Sequence, residues 1–224
     1  MKTKQSFLLG LMLLISINSL KSQDLIIGAT ADIGLSKITY STSAMQSIPF
    51  EAKFNLSGNL GIFIERKAIG SFYLGIEAKW VQIEGIEKAE NVEIILDNGG
   101  KIGYVSFQDK LHSSYIGLPM YCRFNIGKVG IKAGVQPMIF LFANSDYEAF
   151  GVLFDEPYAE ERTTKVEFNK IDFGPTIGID YRLTSKLRLN ASYYHGLTNI
   201  TASDAPFIRK NRQASLGINY IFLE

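Results

Sequence analysis

The groups in this chain that could do chemistry are few: two histidines, one cysteine, scattered serines and one acid-rich stretch. A hydrolytic triad needs a nucleophile within hydrogen-bond reach of a histidine that an acid orients. Ser192 and His195 are three positions apart, and odd spacing on a strand sends two side chains to opposite faces. His112 is followed by Ser113 and Ser114, so a lipid-modifying hydrolase is the enzymatic alternative. Between Asn144 and Glu167, Asp146, Glu148, Asp155, Glu156, Glu160 and Glu161 interleave with Tyr147, Phe150, Phe154 and Tyr158. Calcium needs about six to eight oxygens in a defined geometry, and no EF-hand spacing is present. A solvated loop is expected here, with cation bridging to lipopolysaccharide or partner contact as alternatives. Cys122 has no second cysteine to pair with, and two histidines are too few for a His-rich metal site. No P-loop, dinucleotide fingerprint, zinc spacing or nucleic-acid motif occurs. The expectation is no catalysis, no cofactor and no metal.

What positions these groups is a period of two. Apolar and polar residues alternate over Leu25–Leu35, Phe54–Glu65, Phe72–Trp80, Ile116–Ile126, Val129–Leu141, Ile171–Arg182, Leu187–Leu197 and Gln213–Phe222. These eight runs are roughly 10 to 14 residues long, where a tilted membrane strand needs about 9 to 11 and a soluble strand about 5 to 6. Three links are short (66–71, 127–128, 183–186) and alternate with four long ones (36–53, 85–110, 144–167, 199–211). Short turns at one end and long loops at the other, with an even strand count, predict an all-β, eight-stranded, antiparallel up-and-down transmembrane barrel.

The two faces differ in kind. One is apolar. The other carries Asp32, Glu65, Glu77, Lys79, Arg123, Lys132, Asp172, Asp180, Arg182 and Arg188, five acids against five bases. Eleven strand glycines fall on this polar face and one, Gly58, on the apolar face. Small residues beside long charged ones suit a narrow lumen, so the charges are expected inside as an ion-pair network and the apolar set outside against lipid. Phe63, Tyr73, Tyr121, Phe140 and Tyr194 add bulk to the lumen, which argues against an open porin. On the apolar face, Phe72, Phe124, Tyr181, Tyr220 and Phe222 lie near the turn end, and Phe54 and Trp80 near the loop end, as interfacial girdles would. Pro119, Pro137 and Pro175 lack ladder donors and are expected at bulges or breaks. Cys122 falls on the lipid face.

The N-terminus reads as an address. Lys2 and Lys4 precede the apolar run Phe7–Ile17, and Ser19–Ser22 is small and polar, which is the layout of a secretory signal peptide. Residues 1–22 are expected to be removed, leaving 23–224 as one barrel domain. Loss of Lys2, Lys4 and Lys21 turns the net charge from +1 to −2, which excludes a strongly basic nucleic-acid surface. With 46% apolar residues, wholesale disorder is excluded as well.

Tyr115-Ile-Gly-Leu-Pro-Met-Tyr-Cys-Arg-Phe124 and Tyr194-His-Gly-Leu-Thr-Asn-Ile200, together with the closing run Arg212–Phe222, resemble the motifs of the PorT-like outer-membrane β-barrels of Bacteroidota. The resemblance spans essentially the whole mature chain. It implies a cell outer-membrane location, and it implies outer-membrane lipid and the barrel-insertion machinery as partners. The family's name comes from a protein-secretion pathway, while most members have no assigned role. One departure is Leu223-Glu224 after Phe222, where many barrels end on an aromatic; Tyr220 and Phe222 would carry the insertion signal. The expected role is non-enzymatic and structural or accessory, in envelope or secretion assembly. The 36–53, 85–110 and 144–167 loops would meet a protein partner. A small-solute channel and a soluble periplasmic barrel are the remaining alternatives.

Overall fold

The computed structural model describes residues 25–42, 51–95, 99–201 and 207–224; the expected signal segment lies outside them. Ten strands form one sheet: β1 (Leu25–Thr42), β2 (Glu51–Ile69), β3 (Phe72–Ile95), β4 (Lys101–Gly117), β5 (Met120–Ile126), β6 (Val129–Leu153), β7 (Glu156–Val166), β8 (Ile171–Arg182), β9 (Leu187–His195) and β10 (Phe207–Leu223). All pairings are antiparallel, and β1 pairs with both β2 and β10, which closes the cylinder. β4 and β5 are one stave interrupted at Leu118–Pro119, since both pair with β3 and β6. β7 and β8 share β6 as a partner in the same way. The barrel therefore has eight staves.

The faces sort by environment. Ile33, Leu60, Ile62 and Leu216 lie outward at 58–65% exposure, while Glu65, Asp172 and Arg188 are fully buried inside. A soluble monomer rarely exposes a contiguous apolar patch beyond a few hundred Å²; here the whole waist of the barrel is one. Cys122 is on this outer face.

The expected strand ends are corrected for the long links. The 85–110 and 144–167 segments are mostly strand: β3 pairs with β4 up to Ile95 and Lys101, and β6 pairs with β7 up to Leu153 and Glu156. β4 also follows β6 to Gly103 and Leu153. Together β3, β4, β6 and β7 form a four-stranded sheet that continues past the apolar band. Here Val81, Ile83, Leu111 and Ala143 stay buried inward while the outward side turns polar with Gln82, Glu84, His112 and Asn144, so the lipid-facing apolar stripe that marks the membrane staves ends. β1 and β10 also extend, to Thr42 and Phe207. The turns at 127–128 and 183–186 stand as expected, while the expected 66–71 link shortens to Gly70–Ser71 because β2 runs on to Ile69; Gly70 (φ 56°) and Gly127 (φ 61°) take the left-handed conformation.

Pro119 lies at the β4/β5 interruption. Pro137 and Pro175, contrary to expectation, do not break their own strands. Each missing donor instead faces a gap in the neighbouring ladder. Pro137 points to the β4/β5 interruption, where its carbonyl accepts from Leu118 (2.9 Å). Pro175 sits just past the last regular β8–β9 pair, Thr176–Tyr194; beyond it the strands are joined by Leu197 N–H donating to Phe173 O (2.9 Å).

Candidate functional site

The lumen is filled in layers. At the turn end, Ile26, Phe63 and Ile221 pack with Tyr73. Above them lies an ionic layer. Arg123 on β5 donates from Nη1 to Glu65 (3.0 Å), and from Nε and Nη2 to Asp180 (2.9 and 2.8 Å). Arg188 donates to the same Glu65 oxygen at 2.6 Å. Lys132 lies 3.7 Å from Glu77 and 4.0 Å from Glu65, and Lys79 lies 3.2 Å from Glu77. Tyr121 donates to Glu65 at 3.1 Å. Buried charges are tolerated when paired and hydrogen-bonded, and each of the three carboxylates here has cationic partners.

The other three lumen candidates sit elsewhere. Asp32 makes no ion pair among the described residues; it accepts from Thr30 (3.2 Å) and Asn59 (3.4 Å). Asp32, Thr30, Glu77, Lys79, Tyr121 and Lys132 are among the residues lining a cavity of about 30 Å³, space for about two waters. Asp172 has uncharged partners, accepting from Asn211 (2.8 Å) and Thr198. Arg182 is outside the network and pairs with Glu224 (2.9 Å) at the turn end. Side-chain parity gives the face of a residue but not its height in the barrel, and height separates Asp172 and Arg182 from the layer, whereas Asp32 lies beside it and bonds to Thr30 and Asn59 instead.

Toward the loop end the lumen turns apolar again. Ile38, Val81, Ile83, Leu111, Tyr115, Met138, Phe168, Tyr194 and Ile200 form a buried plug, with Phe140 against it. Phe168 and Ile200 come from the links after β7 and β9, which fold inward and join through Asn169 N–H to Ile200 O (2.8 Å). The sequence places Ile200 in a loop and gives Phe168 no element; no periodicity marks either. Near this end Arg209 and Glu87 form a two-bond pair (3.0 and 2.9 Å).

The girdle residues Phe54, Phe72, Trp80, Phe124, Tyr181, Tyr220 and Phe222 are all exposed on the outer face. Phe72 and Phe124 rings lie 4.6 Å apart, and Tyr220 and Phe222 meet edge to face at 5.5 Å.

The candidate catalytic groups are not assembled. Ser192 Oγ lies 2.8 Å from Ser215 Oγ, and the His195 ring is 3.3 Å from Tyr193 Oη. His112 is held between Glu84 and Asp146 across three strands, while Ser113 Oγ donates to Ile83 O (2.8 Å). The loop acids are used locally. Glu148 pairs with Lys110 (3.0 Å), and Asp146 accepts from Thr163 (2.7 Å). No group of three metal-ligating side chains occurs among the described residues.

The extended sheet is built differently on its two sides. On the inner side Tyr147 stacks on Phe107 (6.1 Å) and lies under Arg162 (4.7 Å); partial burial and the Glu160 carboxylate push its phenol up. On the outer side, near the tip, Tyr104, Phe150 and Val152 are exposed, and Phe154 is 67% exposed. Phe154 (φ 52°) and Asp155 (φ 63°) make a left-handed two-residue turn. Such turns favour Asn and Gly, so a bulky aromatic here is held at a conformational cost.

Residues 5–202 match the model for the outer membrane protein beta-barrel domain. The chain belongs to that family. As an outer membrane beta-barrel protein its place is the cell outer membrane, in agreement with the inverted faces. Several solved outer membrane proteins align with this chain. Ail, the attachment invasion locus protein of Yersinia pestis, is 11% identical over 89% of this chain and 99% of its own, with a TM-score of 0.42. OprG from Pseudomonas aeruginosa is 11% identical over 91% and 98%, with a TM-score of 0.40. The outer membrane protease OmpT from Escherichia coli is 9% identical over 92% and 99%, also at 0.40. Likenesses at this level carry no functional argument for this barrel. No curated protein matches it.

Proposed function

We propose that this barrel is non-enzymatic and PorT-like. In this reading it is an accessory of envelope or protein-secretion assembly that displays a stiff sheet to a protein partner outside the cell. The observation that carries the reading is the apolar tip, Tyr104, Phe150, Val152 and Phe154, exposed at the end of β4 and β6. From Phe142, the last exposed apolar residue of the membrane part of β6, to Val152 is roughly 33 Å along the strand, so this patch does not serve lipid contact. Exposed aromatic clusters rimmed by charge mark protein interfaces, and the left-handed turn at Phe154 points the same way. β7 pairs with β6 alone, and Pro157, Glu161, Arg162 and Lys165 guard its open edge against unspecific pairing. The motifs Tyr115–Phe124 and Tyr194–Ile200 support the PorT-like assignment.

The test is a photo-crosslinking residue placed at Phe154 in the outer membrane of the native host. A single protein adduct at Phe154, absent when the residue is placed at Tyr181, supports partner display. Labelling of lipid alone at both positions rejects it. Removing residues 144–167 should abolish the function while the barrel still inserts; loss of insertion would reject the reading.

A further inference from the structure

A second surface, on the opposite side of the barrel, stands where the apolar band ends. On β1 the outward residues run Ile33, Leu35, then Lys37; on β10 they run Leu216, Ala214, then Arg212 and Lys210. Lys37 is directly opposite Arg212 in the β1–β10 register, and Lys210 is the next outward residue on β10. Facing residues on one side of a sheet have Cβ atoms about 5 Å apart, and directly opposed like charges are destabilising. No carboxylate among the described residues relieves them: the outer ion pairs engage Lys53, Lys88, Lys101 and Lys110 instead. The cluster is nevertheless held in place. Arg212 Nη1 donates to the carbonyls of Gly196 and Asn211, and Nε and Nη2 have no hydrogen-bond partner among the described residues. Lys37 Nζ lies 4.7 Å over the Phe54 ring.

The height of the cluster identifies its ligand. Arg212 is eight residues from the girdle residue Tyr220. At about 3.4 Å per residue and a tilt near 40°, that is a rise of about 21 Å across an apolar band roughly 25 Å tall. The three cations therefore lie at the level of the outer-leaflet headgroups and face the lipid side. We infer that Lys37, Lys210 and Arg212 form a binding site for the phosphate of an outer-leaflet phosphoglycolipid. Its acyl chains would lie along Leu35, Ala214 and Leu216, and its phosphate would separate the opposed Lys37 and Arg212 charges. The site is independent of the partner surface on β4 and β6.

The test is binding of diphosphorylated lipid A to the purified full-length protein in neutral detergent micelles, with wild type, K37Q/K210Q, K37R/K210R and K110Q compared. Arg212 is left intact because it also caps two carbonyls. A heat-modifiability gel checks that each variant is folded. Removing two surface cations should weaken binding about thirtyfold, while K37R/K210R and K110Q bind like wild type. Wild type should bind dephosphorylated lipid A at least about thirtyfold more weakly than the phosphorylated form, because all three cations then lose their partner, a comparison that needs no variant to fold. Equal affinity of wild type for the two lipids overturns the site, as does undiminished binding by K37Q/K210Q. Displacement of lipid A by millimolar inorganic phosphate would reassign the cluster to free phosphate and overturn the lipid as its ligand.

Discussion

Arg123 and Asp180 grip each other across an intervening strand, with Gly130 of β6 lying between them. A Cβ at position 130 would come within 2.6 Å of both Arg123 Nε and Asp180 Oδ2. The two-bond contact therefore exists because β6 carries no side chain where it crosses beneath. Gly130→Val should break this contact and leave buried charges unpaired, destabilising the barrel by about 3 kcal/mol or more. Arg182→Gln, which removes a half-exposed pair at the rim, should cost less than about 1 kcal/mol. Urea unfolding in lipid vesicles measures both; equal losses would mean the ionic layer has no special weight.

Tyr121 lies over Gly75 in the same way. A Cβ on Gly75 would meet ring carbons of Tyr121 at 2.4 Å. Gly75→Val should destabilise by about 1–3 kcal/mol through overpacking. Adding Tyr121→Ala should recover part of that loss, because contacting residues are coupled. Strict additivity in the double-mutant cycle would show that the ring does not fill the space above Gly75.

Trp80 is the only tryptophan and sits on the outer face toward the loop end. Its fluorescence in vesicles should be quenched more by lipids brominated near the headgroup than by lipids brominated at the chain end. The reverse order would move the membrane boundary and, with it, the height assigned to Arg212.

The layered lumen predicts no steady conductance in planar bilayers. Phe168→Ala with Ile200→Ala should leave it closed, since the Arg123–Glu65–Arg188 layer lies below that plug. A stable open level in the wild type would revive the channel reading.

The eight staves were legible because lipid on one side and a packed lumen on the other impose a period of two. Where lipid ends, so does the signal. Ser145 and Leu111 face each other in one ladder just as Ala133 and Cys122 do, yet only the second pair belongs to a run of alternating apolar residues. The sequence therefore shows the membrane half of β6 as strand and its outer half as loop. Glu84, His112 and Asp146 meet across three strands and share no spacing that would join them in the sequence.

Residue type and order by themselves determined the architecture, the inside-out faces, the turn positions and the charge content of the lumen. Each follows from contacts between neighbours in the chain or from the solvent that a face must meet. The tertiary structure alone decided which charges pair. Strand tilt and register set the height of each side chain, bringing Glu65 to Arg123 and Arg188 while leaving Asp172 to Asn211 and Arg182 to Glu224. Closure of the cylinder placed Lys37 opposite Arg212, a pairing of the first strand with the last that no local rule contains.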